Sequence, residues 1–447
     1  MPHTTAMKPS RTALSRRLPR FILACFCLLC LLCLATVSQA RVYLDITSPE
    51  LRKVSVAVPY FVEKTKPSET MASGRQMAGL MARGLTFHGF INVINPSLYG
   101  GRSDADWAGL GADFAVIGQF DTDFTGVSIE LKLIDVHQGQ MIFGRRYRGP
   151  WAKHDQIVLK FCDDIIEQLT GERGVSLTRI AFISNRSGHK EVYLGDALGT
   201  NIIQVTRHGY LTVSPRFSPD GNFLAYTSYH HGNPDLYVTD LRILKTTRPI
   251  SRRRGLNMAP AWAPDGRSMA VTLSKDGNPD LYLMDNRGEI LERLTHGEGV
   301  NVSPSWSPDG KKLAFVSDRV GNHPQLFIMD MQTKAVQRLT MSGSENTTPA
   351  WSPKGDWIAY TARNGSTHNI FLIKPTGGTP IQLTQFWGDY ESPSWSPDGR
   401  QLVFSRKRQG RSQLCVMFKN GSGLRVLYEG EPGSQTSPQW SPRMDVQ

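Results

Sequence analysis

Past residue 174 the chain alternates short apolar runs with polar breaks rich in glycine and proline, in a fixed rhythm. One cycle shows the pattern. Pro304-Ser305-Trp306-Ser307 is a strand-length segment. Pro308-Asp309-Gly310 is a tight turn, because proline presets φ near about −65° and glycine accepts a positive φ. Lys312-Leu313-Ala314-Phe315-Val316-Ser317 is an apolar second strand, and a polar loop with Gly321 and Asn322 follows. Gln325-Leu326-Phe327-Ile328-Met329-Asp330 makes a third strand and Val336-Gln337-Arg338-Leu339-Thr340 an alternating fourth. Four short strands separated by turns form an all-β unit that cannot cover both of its faces alone.

Residues 41–173 follow another pattern. Residues 54–61 read as a buried strand. Residues 69–88 have helical periodicity, with Met71, Met77, Leu80, Met81 and Leu85 as core positions. Strands follow at 90–94, 114–118, 127–135 and 140–147; the third alternates strictly, so Val127, Ile129, Leu131 and Leu133 share one face. A helix over 153–169 ends at Gly171, and residues 171–175 form a linker. The order β-α-β-(β-β-β)-α predicts a small α/β domain with a mixed sheet and two helices.

The all-β unit is repeated. SPRFSPDG from Ser214 recurs as APAWAPDG from Ala259, SPSWSPDG from Ser303, TPAWSPKG from Thr348, SPSWSPDG from Ser392 and SPQWSPRM from Ser437. The central aromatics Phe217, Trp262, Trp306, Trp351, Trp395 and Trp440 are spaced by 44 or 45 residues. A period of roughly 40–50 residues fits four-stranded propeller blades. Residues 178–206 supply second, third and fourth strands with no first, and the missing strand stands at 437–441. The expectation is an α/β N-terminal domain at 41–173 followed by an all-β six-bladed propeller at 174–447, its last blade built from both ends of the domain. Such closure removes open strand edges.

Residues 1–40 read as a secretory signal. Lys8, Arg11, Arg16, Arg17 and Arg20 form a basic start, residues 21–37 an apolar run, and Ser38-Gln39-Ala40 a small-x-small site that places cleavage between Ala40 and Arg41. A retained anchor is the rival, but 17 residues are short for a span. The mature chain is then an exported soluble protein, without membrane insertion, read as a monomer. Cys162 and Cys415 are the cysteines outside the signal, and two buried thiols are favoured over a bridge. Losing five basic and no acidic residues takes the formal charge from +12 to +7. That charge suits solubility and acidic partners, not nucleic acid.

No reactive set stands out. The chain lacks a G-x-S-x-G elbow, a phosphate loop, H-E-x-x-H and a dinucleotide fingerprint. His189, His230, His231, His323 and His368 fall between second and third strands, and His208 and His296 in loops before inner strands, without local metal-ligand spacing. The aspartates of the Pro-Asp-Gly turns read as turn residues, and the repeated tryptophans as packing between blades. No catalytic residue, metal or cofactor is assigned. The loops entering the inner strands ring the channel mouth with Leu256, Asn257, Met258, Val300, Asn301, Glu345, Asn346, Thr347, Tyr390, Glu391 and Thr436, a mixed set suited to a protein or peptide.

The signal, the β-α-β-rich first domain and six SPxWSPDGxxLAFxSxxxGxxxLYxMD blades closed by a terminal SPxWSP resemble the TolB family, the periplasmic propeller proteins of the Tol–Pal envelope system of Gram-negative bacteria. The resemblance covers residues 41–447. It implies a non-enzymatic scaffold that binds a Pal-type lipoprotein on the propeller face and a TolA-type protein through the mature N-terminal segment, here Arg41, Val42, Tyr43, Leu44, Asp45 and Ile46. It implies a role in outer-membrane integrity and in constriction at division. The alternative is an exported propeller enzyme or a sugar- or peptide-binding protein.

Overall fold

Strand β1 (Val54–Ala57) pairs in parallel with β3 (Ile91–Val93) on one side and β4 (Phe114–Asp123) on the other. This is a computed structural model, and it describes residues 53–65, 71–243 and 247–443. The expected signal, its cleavage site at Ala40 and Arg41, and the segment Arg41 to Ile46 therefore lie outside the described residues.

The first sheet runs β3-β1-β4-β5-β6, with β5 (Gly126–Asp135) and β6 (Gln140–Gly149) added antiparallel and β2 (Val62–Glu63) parallel to β4. It is a mixed sheet, as the pattern predicts. Val127, Ile129, Leu131 and Leu133 are all buried while their neighbours are not. The expected strand over 54–61 is shorter: it stops at Ala57, and Val62–Glu63 is a separate strand. Pro59 explains the break, since proline cannot donate to a ladder. Helices α1 (Met71–Phe87) and α2 (His154–Thr170) pack on each other and on the sheet. Their approach is close at Gly84, where a Cβ would come within 2.9 Å of Cys162 Sγ. Gly171 ends α2 in the left-handed region, at φ 76°, and its N–H bonds to the Glu167 carbonyl. Cys162 and Cys415 are free and buried.

Six four-stranded sheets follow. Five are sequential, and the sixth joins Gln435–Trp440 to Arg179–Ser184, Glu191–Asp196 and Ile202–Gln204. The repeated phrase makes the latter part of each inner strand and the turn that leaves it. In SPDG the serine hydroxyl does two jobs. Ser307 Oγ accepts the Lys312 N–H at 2.8 Å and donates to Asp309 at 2.7 Å, and Asp309 accepts the Lys311 N–H at 3.1 Å. The aspartates at 220 and 398 close the same turn. Two of the tryptophans tie blades together: the Trp306 indole donates to the Ala261 carbonyl at 3.0 Å and the Trp395 indole to Ala350 at 2.9 Å, each one repeat back.

Every inner strand also bulges at the start of the phrase. Ser214, Ala259, Ser303, Thr348, Ser392 and Ser437 all have φ between 49° and 58°. Each, with the following proline, faces a single residue of the second strand, as Ser214 and Pro215 face Tyr226. Proline suits this place because it has no N–H to leave unpaired in the bulge.

The N-terminal domain packs on the face that carries the Pro-Asp-Gly turns. Glu172 pairs with Lys354 at 2.7 Å and with Arg400 at 3.4 Å, and Arg425 stacks over the Phe87 ring at 4.6 Å. The opposite face, where the chain enters each inner strand, is left open by that domain.

Candidate functional site

The entry loops place the sequence-predicted residues at two depths. Asn257, Asn301 and Asn346 are fully buried. The Asn257 carboxamide accepts from Ser251 Oγ at 2.5 Å and the Arg253 N–H at 3.1 Å, and donates to the Arg253 and Gly255 carbonyls at 2.7 and 3.2 Å. Asn301 donates to Asp280 Oδ1 and the Gly299 carbonyl, both at 2.9 Å, and accepts from Arg319 at 2.7 Å. Asn346 donates to Gln325 Oε1 at 2.8 Å and the Ser342 carbonyl at 2.9 Å. The side chains that looked like contact groups tie their loops down. Tyr390 is buried too, edge-on to Phe404. Leu256, Met258, Glu345, Thr347 and Thr436 are half-buried, and Val300 and Glu391 are exposed.

Above them stands a rim that sequence reasoning reached only in part. Tyr210, Leu211, Val300, Met341, Phe386 and Trp387 are exposed in the loops between a fourth strand and the next inner strand. Trp387 is 62% and Met341 72% exposed, so these are not grazing edges of a core. Arg408 lies over the Trp387 ring at 4.7 Å. It comes from the longest hairpin of the propeller, Gln401–Arg408 with Arg411–Phe418, eight residues a side. Aromatic, methionine and arginine side chains are the types enriched at protein interfaces. The signal was available: a large apolar residue inside an otherwise polar loop, as in Thr384-Gln385-Phe386-Trp387-Gly388.

The histidines gather in two places on this face. His208, His230 and His231 have ring centroids 5.1 and 4.6 Å apart in sequence, with Tyr210 5.8 Å from His230. Burial pushes the His208 pKa down, against the pull of Glu191. His368 lies 3.4 to 3.6 Å from Glu345, Asp389 and Glu391. Among the described residues, no group of three or more His, Cys, Asp or Glu is arranged to hold a metal ion. His189, His296 and His323 join neither group. Below the rim the inner strands enclose a channel of about 530 Å³ lined by small hydroxyl residues, prolines and the aromatic ring positions.

These features define a class: a closed six-bladed propeller on an α/β domain, with an apolar, arginine-bearing open face. Residues 166–444 match the TolB beta propeller domain family and residues 42–142 the TolB amino-terminal domain family. The chain belongs to the TolB family. It is 39% identical over 368 residues to the protein TolB homolog of Chlorobium luteolum, spanning 80% of this chain and 83% of that one. It is 46% identical over 215 residues to the Tol-Pal system protein TolB of Desulfotalea psychrophila, spanning 48% of this chain and 49% of that protein, so the match covers about half the length of that relative. The crystal structure of TolB from Acinetobacter baumannii superposes with a TM-score of 0.77 at 27% identity, over 88% of this chain and 98% of that one. Among the described residues, no helix is long and apolar enough to cross a membrane.

Proposed function

We propose that this chain is a periplasmic docking protein of the Tol–Pal system and acts without catalysis or cofactor. It is exported by a signal cleaved between Ala40 and Arg41 and works as a monomer. Its propeller mouth binds a Pal-type lipoprotein, and the segment Arg41 to Ile46 binds a TolA-type protein, in support of outer-membrane integrity and constriction at division. The observation that carries the mouth assignment is the exposed rim of Tyr210, Leu211, Val300, Met341, Phe386 and Trp387 on the face the N-terminal domain leaves free. The names of the relatives supply the system. Leu256, Met258, Glu345, Thr347, Glu391 and Thr436 form the floor that a docked chain would meet inside that rim.

Calorimetric titration of the chain from Arg41 with the soluble form of a Pal-type lipoprotein from the same cell tests this. Saturable one-to-one binding is expected, weakened about tenfold or more by Trp387→Ala, as for a central aromatic anchor. Absence of heat and of a complex on gel filtration overturns the docking reading and brings forward an exported enzyme or a sugar-binding propeller.

A further inference from the structure

Among the described residues that line the channel, Arg216 alone is ionisable; the rest are Ser, Thr, Ala, Pro, Phe, Trp and Gln. The other blades place Ala261, Ser305, Ala350, Ser394 and Gln439 at the matching position of the phrase. Arg216 is half-buried, and part of its surface faces the lumen. Among the described residues its guanidinium makes one hydrogen bond, to the carbonyl of the adjacent Pro215 at 2.9 Å, and no carboxylate pairs with it. Burial alone lowers its pKa, to about 10, so it stays charged at any physiological pH.

A guanidinium that faces a narrow lumen with most of its five N–H donors unmatched by protein acceptors offers them to a solute that accepts hydrogen bonds. The wall supplies further donors. Ser305 Oγ accepts the Trp351 N–H and Ser394 Oγ accepts the Trp440 N–H, each at 3.0 Å, which leaves both hydroxyl protons free to point elsewhere. We propose that the channel is an anion site in which Arg216, aided by the wall hydroxyls, holds one small oxyanion of the carboxylate or phosphate class. A planar fork of donors matches such a group. Two sources share this chemistry: a free anion of the surrounding solution, or a carboxylate carried by a chain docked at the mouth.

The repeat itself provides the control. Arg216→Ser installs the residue that Ser305 and Ser394 already place in blades of the same fold, and Arg216→Gln copies Gln439, so one of the two keeps the fold. Thermal unfolding would be followed while phosphate, and separately acetate, is titrated into partner-free protein at constant ionic strength. A saturating rise of about 1–2 °C at tenfold excess over Kd is expected in the wild type, and no saturating component in the variant. Equal responses in both proteins overturn the site, because general salt stabilisation does not need Arg216. Rescue of part of the effect by Arg216→Lys supports it. To separate the sources, the docked partner would be titrated with and without saturating phosphate. Competition in the wild type that disappears in the variant assigns the site to a partner's carboxylate; a partner affinity indifferent to phosphate assigns it to a free anion.

Discussion

At the scale of the residue, the least expected feature is a left-handed conformation held six times without glycine. For an ordinary L-residue this costs roughly 1–2 kcal/mol. Ala259 sits there at φ 52°, while Ala270 lies fully buried in the regular second strand of the same blade. Ala259→Gly is expected to change stability by less than about 0.5 kcal/mol, since relief of the backbone offsets glycine's extra chain entropy, whereas Ala270→Gly costs about 1 kcal/mol. Denaturant unfolding of the two variants checks this, and equal losses would show that the bulge carries no backbone strain. The bulge was not legible in the sequence. Serine and alanine do not announce a positive φ, which is imposed by the pairing with the second strand. The turns were legible, because Pro-Asp-Gly is a local chemistry. Asn257, Asn301 and Asn346 show the limit from the other side: they look like polar loop residues, but the partners of Asn301 and Asn346 at Asp280 and Gln325 stand 21 residues earlier, out of reach of a local reading.

At the scale of the element, the period and the displaced first strand disclosed six blades and their closure, whereas the junction between the parts depends on contacts no pattern reports. The linker after α2 is held by two side chains. Asp163 accepts the N–H groups of Ser176 at 2.7 Å and Leu177 at 3.3 Å. His88 donates from Nδ1 to the Gly84 carbonyl at 2.9 Å and accepts the Val175 N–H on Nε2 at 3.1 Å, which requires a neutral ring. Burial depresses the His88 pKa below its ordinary 6.5, with Asp163 pulling the other way. A depressed folded-state pKa gives stability that is complete above about pH 6.5 and is lost as pH falls toward the folded value. Burial raises the Asp163 pKa, and that contribution has the opposite sign. His88→Gln is expected to unfold with a flatter dependence between pH 7.5 and 5 than the wild type; parallel curves would remove His88 as the titrating group. Trp440 closes the ring at the same junction. It is buried, donates to Thr178 Oγ1 at 2.8 Å and lies 6.1 Å from the Phe87 ring. Trp440→Ala is expected to cost about 3–5 kcal/mol in chemical denaturation, the range for an aromatic removed from a core.

At the scale of the whole molecule, the rim and the N-terminal domain occupy opposite faces of the propeller, so an influence carried from that domain to the rim must pass through the blades. Arg425 is one of the side chains that join the two parts. Its guanidinium stacks on Phe87, donates to Gln401 Oε1 at 2.6 Å and reaches the Phe87 carbonyl at 3.4 Å, while Arg443 bonds to the Arg173 and Gly174 carbonyls across the closing blade. Arg425 also belongs to the blade that raises the long hairpin carrying Arg408 against Trp387, so one sheet reaches from the domain contact to the rim. If the two proposed partners are linked, the factor by which a TolA-type protein changes the affinity for a Pal-type protein must equal the factor in the reverse direction. We expect that factor to be about fivefold or more, within the usual range of such couplings, and to fall toward one in Arg425→Met, which keeps the packed stem and loses the donors. Each partner's affinity measured alone should stay within about twofold of the wild type, because Arg425 lies on the face opposite the rim. Titrations of each partner in the presence and absence of the other, on both proteins, decide it: a coupling unchanged by the substitution would mean that the link does not run through this contact.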